Sequence, residues 1–262
     1  MDVRDSDLQT LQNKLEEIKQ RGWIVNTARH GNHGGAGNLL EDLLEVIENN
    51  LALPDFGVWE LKTSRRRAGT ALVTLFHSEP ATRPFIPKLL REYGWPHQEA
   101  GGRYPSNEKS FRSTTYGNRY TDRGMTVKVD RTQEKVFFVF EPSELQPNQN
   151  EWKQQLIDTG FFTPFNPTPY WTFETIQEKL DGKLKNTIMM QVDSKIEDGK
   201  EFYRFDKFDA FIDPDIDKFL KLLESGGIAI DVDARTGHNH GTKFRIKKNL
   251  MFDLYAEIMT VE

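Results

Sequence analysis

Residues 54–62 read Pro54-Asp55-Phe56-Gly57-Val58-Trp59-Glu60-Leu61-Lys62. Alternate residues of a β-strand lie on one face, so a strand through this segment places Glu60 beside Lys62 and turns Leu61 to the other side. The proline and the glycine predict a bend that carries the carboxylate of Asp55 back toward Glu60. Two carboxylates beside an amine suit a hard divalent cation and a positioned water molecule, and this is the chemistry of phosphodiester hydrolysis.

The same spacing also occurs where it has no chemical role. In that interpretation the segment is a half-exposed strand edge, and Glu60 and Lys62 form an ordinary surface ion pair. The spacing alone does not separate the two interpretations, so the rest of the chain has to decide between them.

The composition limits the class of protein. The chain has 262 residues, of which 29% are charged and 37% hydrophobic, and it has no cysteine, so disulfides and thiolate metal sites are excluded. No apolar stretch is long enough to span a bilayer, and a cytoplasmic protein with no membrane partner is the expectation. The net charge of -5 argues against indiscriminate coating of nucleic acid, although residues 234–249 contain five basic residues and no acidic one.

The order of predicted elements is α/β. Helices and strands alternate in the first half, beginning with a helix at residues 6–21, and the second half is mostly β. A second helix is predicted from Leu39 to about Asn50, with Asn38 as its N-cap. Residues 94–123 read as one long loop, and residues 147–169 read as irregular structure.

A glycine-rich turn at residues 29–37 precedes the second helix. It lacks the Gly-Lys-Ser/Thr ending of a nucleotide-binding loop, which argues against a nucleotide cofactor. It is interpreted either as a loop that brings Arg29 and Asn32 to a DNA backbone or as a connector that caps a helix. Glu41, one turn into that helix, is either a third carboxylate near the metal or a capping acid.

Residues 235–245 contain the other candidate site, which reads Arg235-Thr236-Gly237-His238-Asn239-His240-Gly241-Thr242-Lys243-Phe244-Arg245. His238 and His240 point the same way on an extended segment, so they form either half of a zinc site or a surface that reads bases. Arginine forms paired hydrogen bonds with guanine, and histidine and asparagine can bond base edges. The absence of acidic neighbours favours DNA, with Arg235, Arg245, Asn239 and Lys243 as candidate contacts.

Three segments together resemble one family. They are Gly31-x5-Gly37-x3-Glu41-Asp42-Leu43-Leu44-Glu45, Pro54-Asp55-Phe56-x3-Glu60-Leu61-Lys62-Thr63, and His238-x-His240-Gly241-Thr242-x-Phe244-Arg245-Ile246. The chain resembles type II restriction endonucleases of the MvaI/BcnI family, relatives of the mismatch-repair nickase MutH. The last segment is the most specific, and it favours the MvaI/BcnI branch over MutH.

The resemblance implies a PD-(D/E)XK nuclease core, a mixed central sheet flanked by helices, with a β-rich lobe that recognises DNA. It implies one endonuclease unit over residues 1–262, with a catalytic lobe at about 1–140 and a recognition lobe at about 141–262. The expected partner is double-stranded DNA with a CC-x-GG site, cut by a monomer in a prokaryotic cytoplasm.

The resemblance also implies roles for individual residues. Asp55, Glu60 and the backbone carbonyl of Leu61 are expected to bind Mg²⁺, for which Mn²⁺ substitutes, and Lys62 is expected to act on the attacking water. Glu41 is expected to lie just outside these ligands, and Arg65 and Arg66 are expected to grip phosphates. Two alternatives stay open: a nickase that needs a partner, and a DNA-binding or zinc-dependent module without catalysis.

Overall fold

The computed structural model describes residues 3–27, 35–46, 54–65 and 71–261. Its helices are α1 (Val3–Gln20), α2 (Gly35–Leu43), α3 (Phe85–Tyr93), α4 (Asn150–Asp158), α5 (Phe173–Lys183), α6 (Ile216–Glu224) and α7 (Met251–Leu254). Its strands are β1 (Trp23–Val25), β2 (Glu60–Arg65), β3 (Leu72–His77), β4 (Trp95–Pro96), β5 (Lys109–Tyr116), β6 (Arg123–Asp130), β7 (Lys135–Leu145), β8 (Tyr170–Thr172), β9 (Asn186–Glu197), β10 (Lys200–Pro214), β11 (Ile228–Arg235), β12 (His238–Lys247) and β13 (Tyr255–Val261). None of the helices in these ranges has both the length and the apolar character needed to cross a membrane.

The strands form three sheets. The first has the order β1-β10-β9-β2, with β13 also paired to β10; the second has the order β3-β12-β11-β5-β4; the third is β6-β7-β8. Strands β2 and β9 run parallel, whereas the other strand pairs of the first sheet are antiparallel. The first sheet is therefore mixed, as predicted.

The chain divides into two compact units that each draw on separate stretches of sequence. Unit 1 comprises residues 1–71, 178–215 and 248–262, and unit 2 comprises residues 72–177 and 216–247. These boundaries differ from the single division near residue 140 that the sequence suggested. The functional division into a catalytic and a recognition lobe stays a prediction.

Unit 1 contains the first sheet, α1 and α2. The predicted apolar stripe of α1 is present, because Leu8, Leu11, Leu15 and Ile18 are all buried in one hydrophobic cluster. Leu61 of β2 lies in the same cluster and so holds the strand against these helices. The core therefore fixes which face of β2 is apolar, and it leaves the opposite face to Glu60 and Lys62.

The second helix differs from its prediction. It spans Gly35–Leu43, so Asn38 lies inside the helix and is not its N-cap. Gly35 begins the helix at a place where a larger residue would be crowded. A Cβ atom on Gly35 would lie 2.8 Å from the hydroxyl oxygen of Tyr203.

Unit 2 contains the second and third sheets, and its core is rich in aromatic residues. Phe76 packs against Phe219 and Phe244 with ring centroids 5.9 and 4.9 Å away. The loop predicted at residues 94–123 is wrong at Trp95–Pro96 and Lys109–Tyr116, which form β4 and β5. The irregular structure predicted for residues 147–169 is likewise wrong at α4, where Trp152 and Leu156 are buried.

Candidate active site and DNA interface

A tight turn places Asp55 next to β2. Phe56 and Trp59 exchange backbone hydrogen bonds of 2.9 and 2.8 Å, and Gly57 between them has a φ of +56°, a conformation that favours glycine. The carboxylate Oδ2 of Asp55 accepts a hydrogen bond of 2.9 Å from the backbone N–H of Leu61. The predicted bend is therefore present, and it brings the Asp55 carboxylate to the strand that carries Glu60.

Glu60 and Lys62 lie on the same face of β2, as the strand spacing predicted. The ammonium of Lys62 donates a hydrogen bond to Oε1 of Glu60. The side chain of Glu60 is only 2% exposed and that of Lys62 is 16% exposed. This burial argues against an ordinary surface ion pair. Removing two charges from water costs free energy, so a buried pair is weak evidence for a purely stabilising role.

A second lysine, which the sequence pattern did not reveal, also contacts Glu60. The Nζ atom of Lys183 lies 3.4 Å from Oε1 of Glu60, and its side chain is 29% exposed. Lys183 is the last residue of α5, just before β9, and Thr187 of β9 pairs with Glu60 in parallel register. Because a helix that precedes a parallel partner strand ends near that strand's start, the topology accounts for this contact.

The donor atoms at this site fit a divalent cation. Oε2 of Glu60 is buried and has no hydrogen-bond partner among the described residues. The N–H and C=O of an extended residue point the same way, so the Leu61 carbonyl lies on the side of the strand where Asp55 accepts its N–H. Two carboxylates and a carbonyl are all oxygen ligands, the type that Mg²⁺ prefers.

The buried surroundings of Glu60 alter its protonation. Desolvation by burial raises the pKa of Glu60 above its ordinary value, and the negative charge of Asp55 adds to this rise, whereas Lys62 and Lys183 oppose it. Behind Glu60, the hydroxyl of Tyr255 shares a hydrogen bond of 2.9 Å with that of Thr187. Burial raises the pKa of Tyr255 too, so this pair stays neutral and adds no charge to the site.

The raised pKa of Glu60 predicts how stability depends on pH. Between the unfolded carboxyl pKa of about 4.3 and the raised folded pKa, the native state binds more protons than the unfolded state. The free energy of unfolding therefore falls as the pH rises through this window. In Glu60→Gln this position no longer titrates. The melting temperature of the variant minus that of wild type, measured in EDTA, should therefore increase between pH 4.5 and pH 8. Thermal unfolding of both proteins across this range tests the expectation, and a constant difference between them would contradict it.

Three predicted contacts lie outside the described residues, namely Arg29, Asn32 and Arg66. Arg65, at the end of β2, is exposed, and its guanidinium lies 3.3 Å from the carboxylate of Glu201. Glu41 lies near the end of α2, where its backbone carbonyl accepts the N–H of Val46 at 2.9 Å. Glu41 is therefore not at the positive end of the helix, and its interpretation as a capping acid is wrong. Its role near a metal and the roles of these arginines stay predictions.

One face of the second sheet carries several of the predicted DNA contacts. The inward residues of β11, such as Ile230 and Val232, are buried, whereas Asp231, Asp233 and Arg235 alternate with them on the other face. Register places β12 and β5 side chains on this polar face, including Lys243 opposite Asp231 and Arg112 opposite Asp233. The polar face thus has an excess of cations, counted over Arg112, Asp231, Asp233, Arg235, Lys243, Arg245 and Lys247.

Arg245 is more constrained than the sequence suggested. Its Nη1 atom donates to Asp231 at 3.0 Å and its Nη2 atom donates to the backbone carbonyl of Leu72 at 3.0 Å. Its Nε atom is buried without a hydrogen-bond partner among the described residues. These contacts engage two of the five N–H groups of the guanidinium and hold it in place.

His238 and His240 lie together at the start of β12, as predicted. Their ring centroids are 4.3 Å apart in an edge-to-face arrangement, and both residues are exposed. The side chain of Asn239 accepts the N–H of Gly241 at 2.7 Å, and Gly241 has a φ of +75° at a bulge in the strand. Within the described ranges, no group of three or more histidine, aspartate or glutamate side chains is arranged to hold a metal, so the zinc interpretation gains no support.

A mixed sheet whose edge strand carries Glu-x-Lys next to an aspartate defines a nuclease of the PD-(D/E)XK fold. The profile of the MvaI/BcnI restriction endonuclease family matches residues 12–255, so the chain belongs to this family of DNA-cleaving enzymes. Restriction endonucleases of this type generally use divalent metal ions.

Solved structures agree with this assignment. The chain is 26% identical to restriction endonuclease MvaI in its complex with cognate DNA substrate, over 97% of each chain, with a TM-score of 0.79. The structure of restriction endonuclease MvaI in the absence of DNA is 24% identical over 98% of each chain, with a TM-score of 0.54, and it supports the fold alone. A comparison with curated proteins found no match.

Proposed function

We propose that the protein is a Mg²⁺-dependent type II restriction endonuclease that cuts double-stranded DNA at a short CC-x-GG site and leaves 5′-phosphate ends. The observation that carries the proposal is the state of Glu60. One of its oxygens contacts two lysine ammonium groups, while the other is buried without a partner among the described residues. A buried carboxylate oxygen without a partner lowers the stability of the fold, and a cation bound to that oxygen would remove this cost.

Each residue of the site has a distinct task in this proposal. Asp55, Glu60 and the Leu61 carbonyl would hold Mg²⁺, and Mn²⁺ would fit the same oxygen ligands. When bound, the ion supplies positive charge to the scissile phosphate and lowers the pKa of a bound water. Lys62 orients the attacking water, helps to remove its proton and offsets charge on the phosphate. Lys183 also contacts the Glu60 carboxylate, and its positive charge opposes the rise in the pKa of Glu60 that burial causes.

The DNA contacts divide into two kinds. Arg65 would contact phosphates, and such contacts fix the position of the duplex without reading its sequence. The residues at the start of β12 and the adjoining arginines would read bases, since imidazole, amide and guanidinium groups all form hydrogen bonds with base edges. The solved MvaI complex contains cognate DNA, which supports the assignment of a similar ligand to this chain.

We further propose that the enzyme acts as a monomer in the prokaryotic cytoplasm, where incoming DNA is met. The predicted site has an odd number of base pairs, so a single active site would nick one strand, release, and then nick the other. The central base pair is restricted in this type of site, and the identity of that pair is left to experiment.

Digestion of a fully sequenced plasmid tests the proposal directly. Purified protein is incubated with the plasmid in Mg²⁺ or in EDTA, and Glu60→Gln serves as the matched control for contaminating nucleases. Discrete fragments whose ends share one CC-x-GG site, found only with wild type in Mg²⁺, are the expected result. Nicked circles without linear product would instead indicate an enzyme that needs a partner, and an intact plasmid in all tubes would overturn the proposal.

A further inference from the structure

We propose that Glu108 and Tyr104 are positioning residues. They hold the guanidinium of Arg235, before DNA binds, in the orientation that it needs to recognise one guanine. This inference rests on the function proposed above, because it assigns Arg235 a partner in DNA. It concerns the turn between β11 and β12 and the segment before β5, all of which belong to unit 2.

The guanidinium of Arg235 is fixed on three sides. Its Nη1 atom donates to Oε1 of Glu108 at 3.0 Å. Its central carbon lies 4.4 Å from the centre of the Tyr104 ring, within the range of a cation–π contact. A Cβ atom on Gly237 would lie 2.8 Å from the same Nη1 atom, so the arginine passes directly over this glycine. These contacts remove most of the rotamer freedom of a side chain that is otherwise among the most flexible.

Glu108 holds the turn as well as the arginine. Its Oε1 atom also accepts the backbone N–H of Gly237 at 3.1 Å, and the residue is only 5% exposed. The hydrogen bond from Arg235 keeps the pKa of Glu108 below its ordinary value, followed by that from Gly237, so the carboxylate is ionised at neutral pH. The buried carboxylate of Glu108 thus fixes both the guanidinium of Arg235 and the backbone of the turn at Gly237.

Arg235 keeps more donors for a ligand than Arg245 does. A guanidinium has five N–H groups in a planar fork, and Nη1 is the part of Arg235 with a hydrogen-bond partner among the described residues. Arg245 has both Nη atoms engaged and its Nε atom buried. Arg235 is therefore the better placed of the two to form paired bonds with O6 and N7 of a guanine.

The space beside Arg235 suits the edge of a base pair. A cavity of about 600 Å³ lies against the turn, and Ile86, Pro87 and Leu90 form an apolar part of its lining. The polar part of the lining comes from Arg91, Asn107, Lys109, Arg235, Thr236, His238 and Asn239. These polar groups are of the kind that contact bases and phosphates. Because the arginine is fixed before DNA arrives, binding would cost little side-chain entropy, and a wrong base would meet a group that cannot adjust.

The test compares Glu108→Gln with Glu79→Gln. Glu79 is the matched control because its carboxylate also anchors the β11–β12 hairpin, accepting the N–H of Thr242 at 2.9 Å. Within the described part of the chain, it has no contact with an arginine guanidinium. Cleavage is measured on the mapped cognate duplex and on duplexes changed at each base pair in turn. Melting temperature and affinity for unrelated DNA are measured alongside as checks on folding and on phosphate contacts.

The expected result is a loss of about 10- to 100-fold in kcat/KM on the cognate site for Glu108→Gln, the worth of one paired arginine–guanine contact. Discrimination should weaken at one base pair and stay normal at the others, while Glu79→Gln discriminates as wild type does. Tyr104→Leu should weaken discrimination at the same base pair by a smaller factor. It also provides a second variant if Glu108→Gln folds poorly.

Two results would overturn the inference while leaving the enzyme itself established. One is normal discrimination by both the Glu108 and the Tyr104 variants. The other is an equal loss of cleavage on every duplex. That result would mean that Glu108 and Tyr104 stabilise the turn but do not orient Arg235 for base recognition. Failure of the wild-type protein to cut any duplex is a different outcome, since it removes the proposed function as well.

Discussion

Glu60→Gln is expected to abolish DNA cleavage, with a rate loss on the order of 10³-fold or more under single-turnover conditions. Glutamine keeps the size of the side chain but removes the charge. Of the two carboxylates at this site, it is Glu60 that has a buried oxygen without a hydrogen-bond partner among the described residues. The variant should therefore lose its Mg²⁺ affinity, measured by calorimetry, while its affinity for cognate DNA in EDTA persists.

The folded state of Glu60→Gln should be at least as stable as wild type at neutral pH without metal. Burial of an ionised carboxylate opposes folding here, as the raised pKa of Glu60 indicates, and the amide removes that cost. Glu197→Gln is the matched control, because Glu197 lies on β9 of the same sheet with its side chain 58% exposed. A Glu60→Gln protein that cuts DNA at the wild-type rate would refute the assignment of the active site.

Lys62→Met is expected to lower the cleavage rate by about 10²- to 10⁴-fold, the usual contribution of a group that transfers a proton in the transition state. Methionine retains an unbranched apolar stem but supplies no ammonium. Removal of a positive charge from beside Glu60 should also strengthen Mg²⁺ binding, which is the opposite of the change expected for Glu60→Gln. The pair of variants thus separates loss of the metal from loss of the chemical step.

Two further lysine variants calibrate this result. Lys183→Met should reduce the rate less than Lys62→Met, because Lys183 is more exposed and its ammonium lies 3.4 Å from Glu60. Lys195→Met is the neutral control, since Lys195 pairs with Glu197 on the exposed part of β9. Equal rates for Lys62→Met and Lys195→Met would show that Lys62 has no part in cleavage.

The candidate site could be predicted to the extent that it is local in sequence. Asp55, Glu60 and Lys62 lie within nine consecutive positions, so turn chemistry and strand alternation are enough to bring them together. Lys183 could not be found in this way, because it reaches Glu60 only through the parallel pairing of β2 with β9. The engagement of Arg245 with Asp231 was also hidden, since it depends on the register of two strands.

The same reason explains the main errors in the fold. Strand β5 is rich in serine, threonine and arginine, and this composition suggested a loop. Its inward side chains do alternate, with Phe111 and Thr115 buried, but the strand is defined by its partner β11, more than 110 residues later in the chain. On its inward face, Phe111 is the one strongly apolar side chain, and the other residues are polar. This pattern of hydrophobic alternation is too weak to identify a strand without that partner.

The scattered origin of unit 1 has a consequence for protein synthesis. The strand with Glu60 needs β9 as its neighbour, and β10 of the same sheet is completed by β13, which begins at Tyr255. A ribosome that has made the first 180 residues has therefore supplied Asp55, Glu60 and Lys62 but not the strands that order them. Nascent chains that lack these strands should not cut the host genome, and cleavage should begin only after the distant strands have been made and have paired.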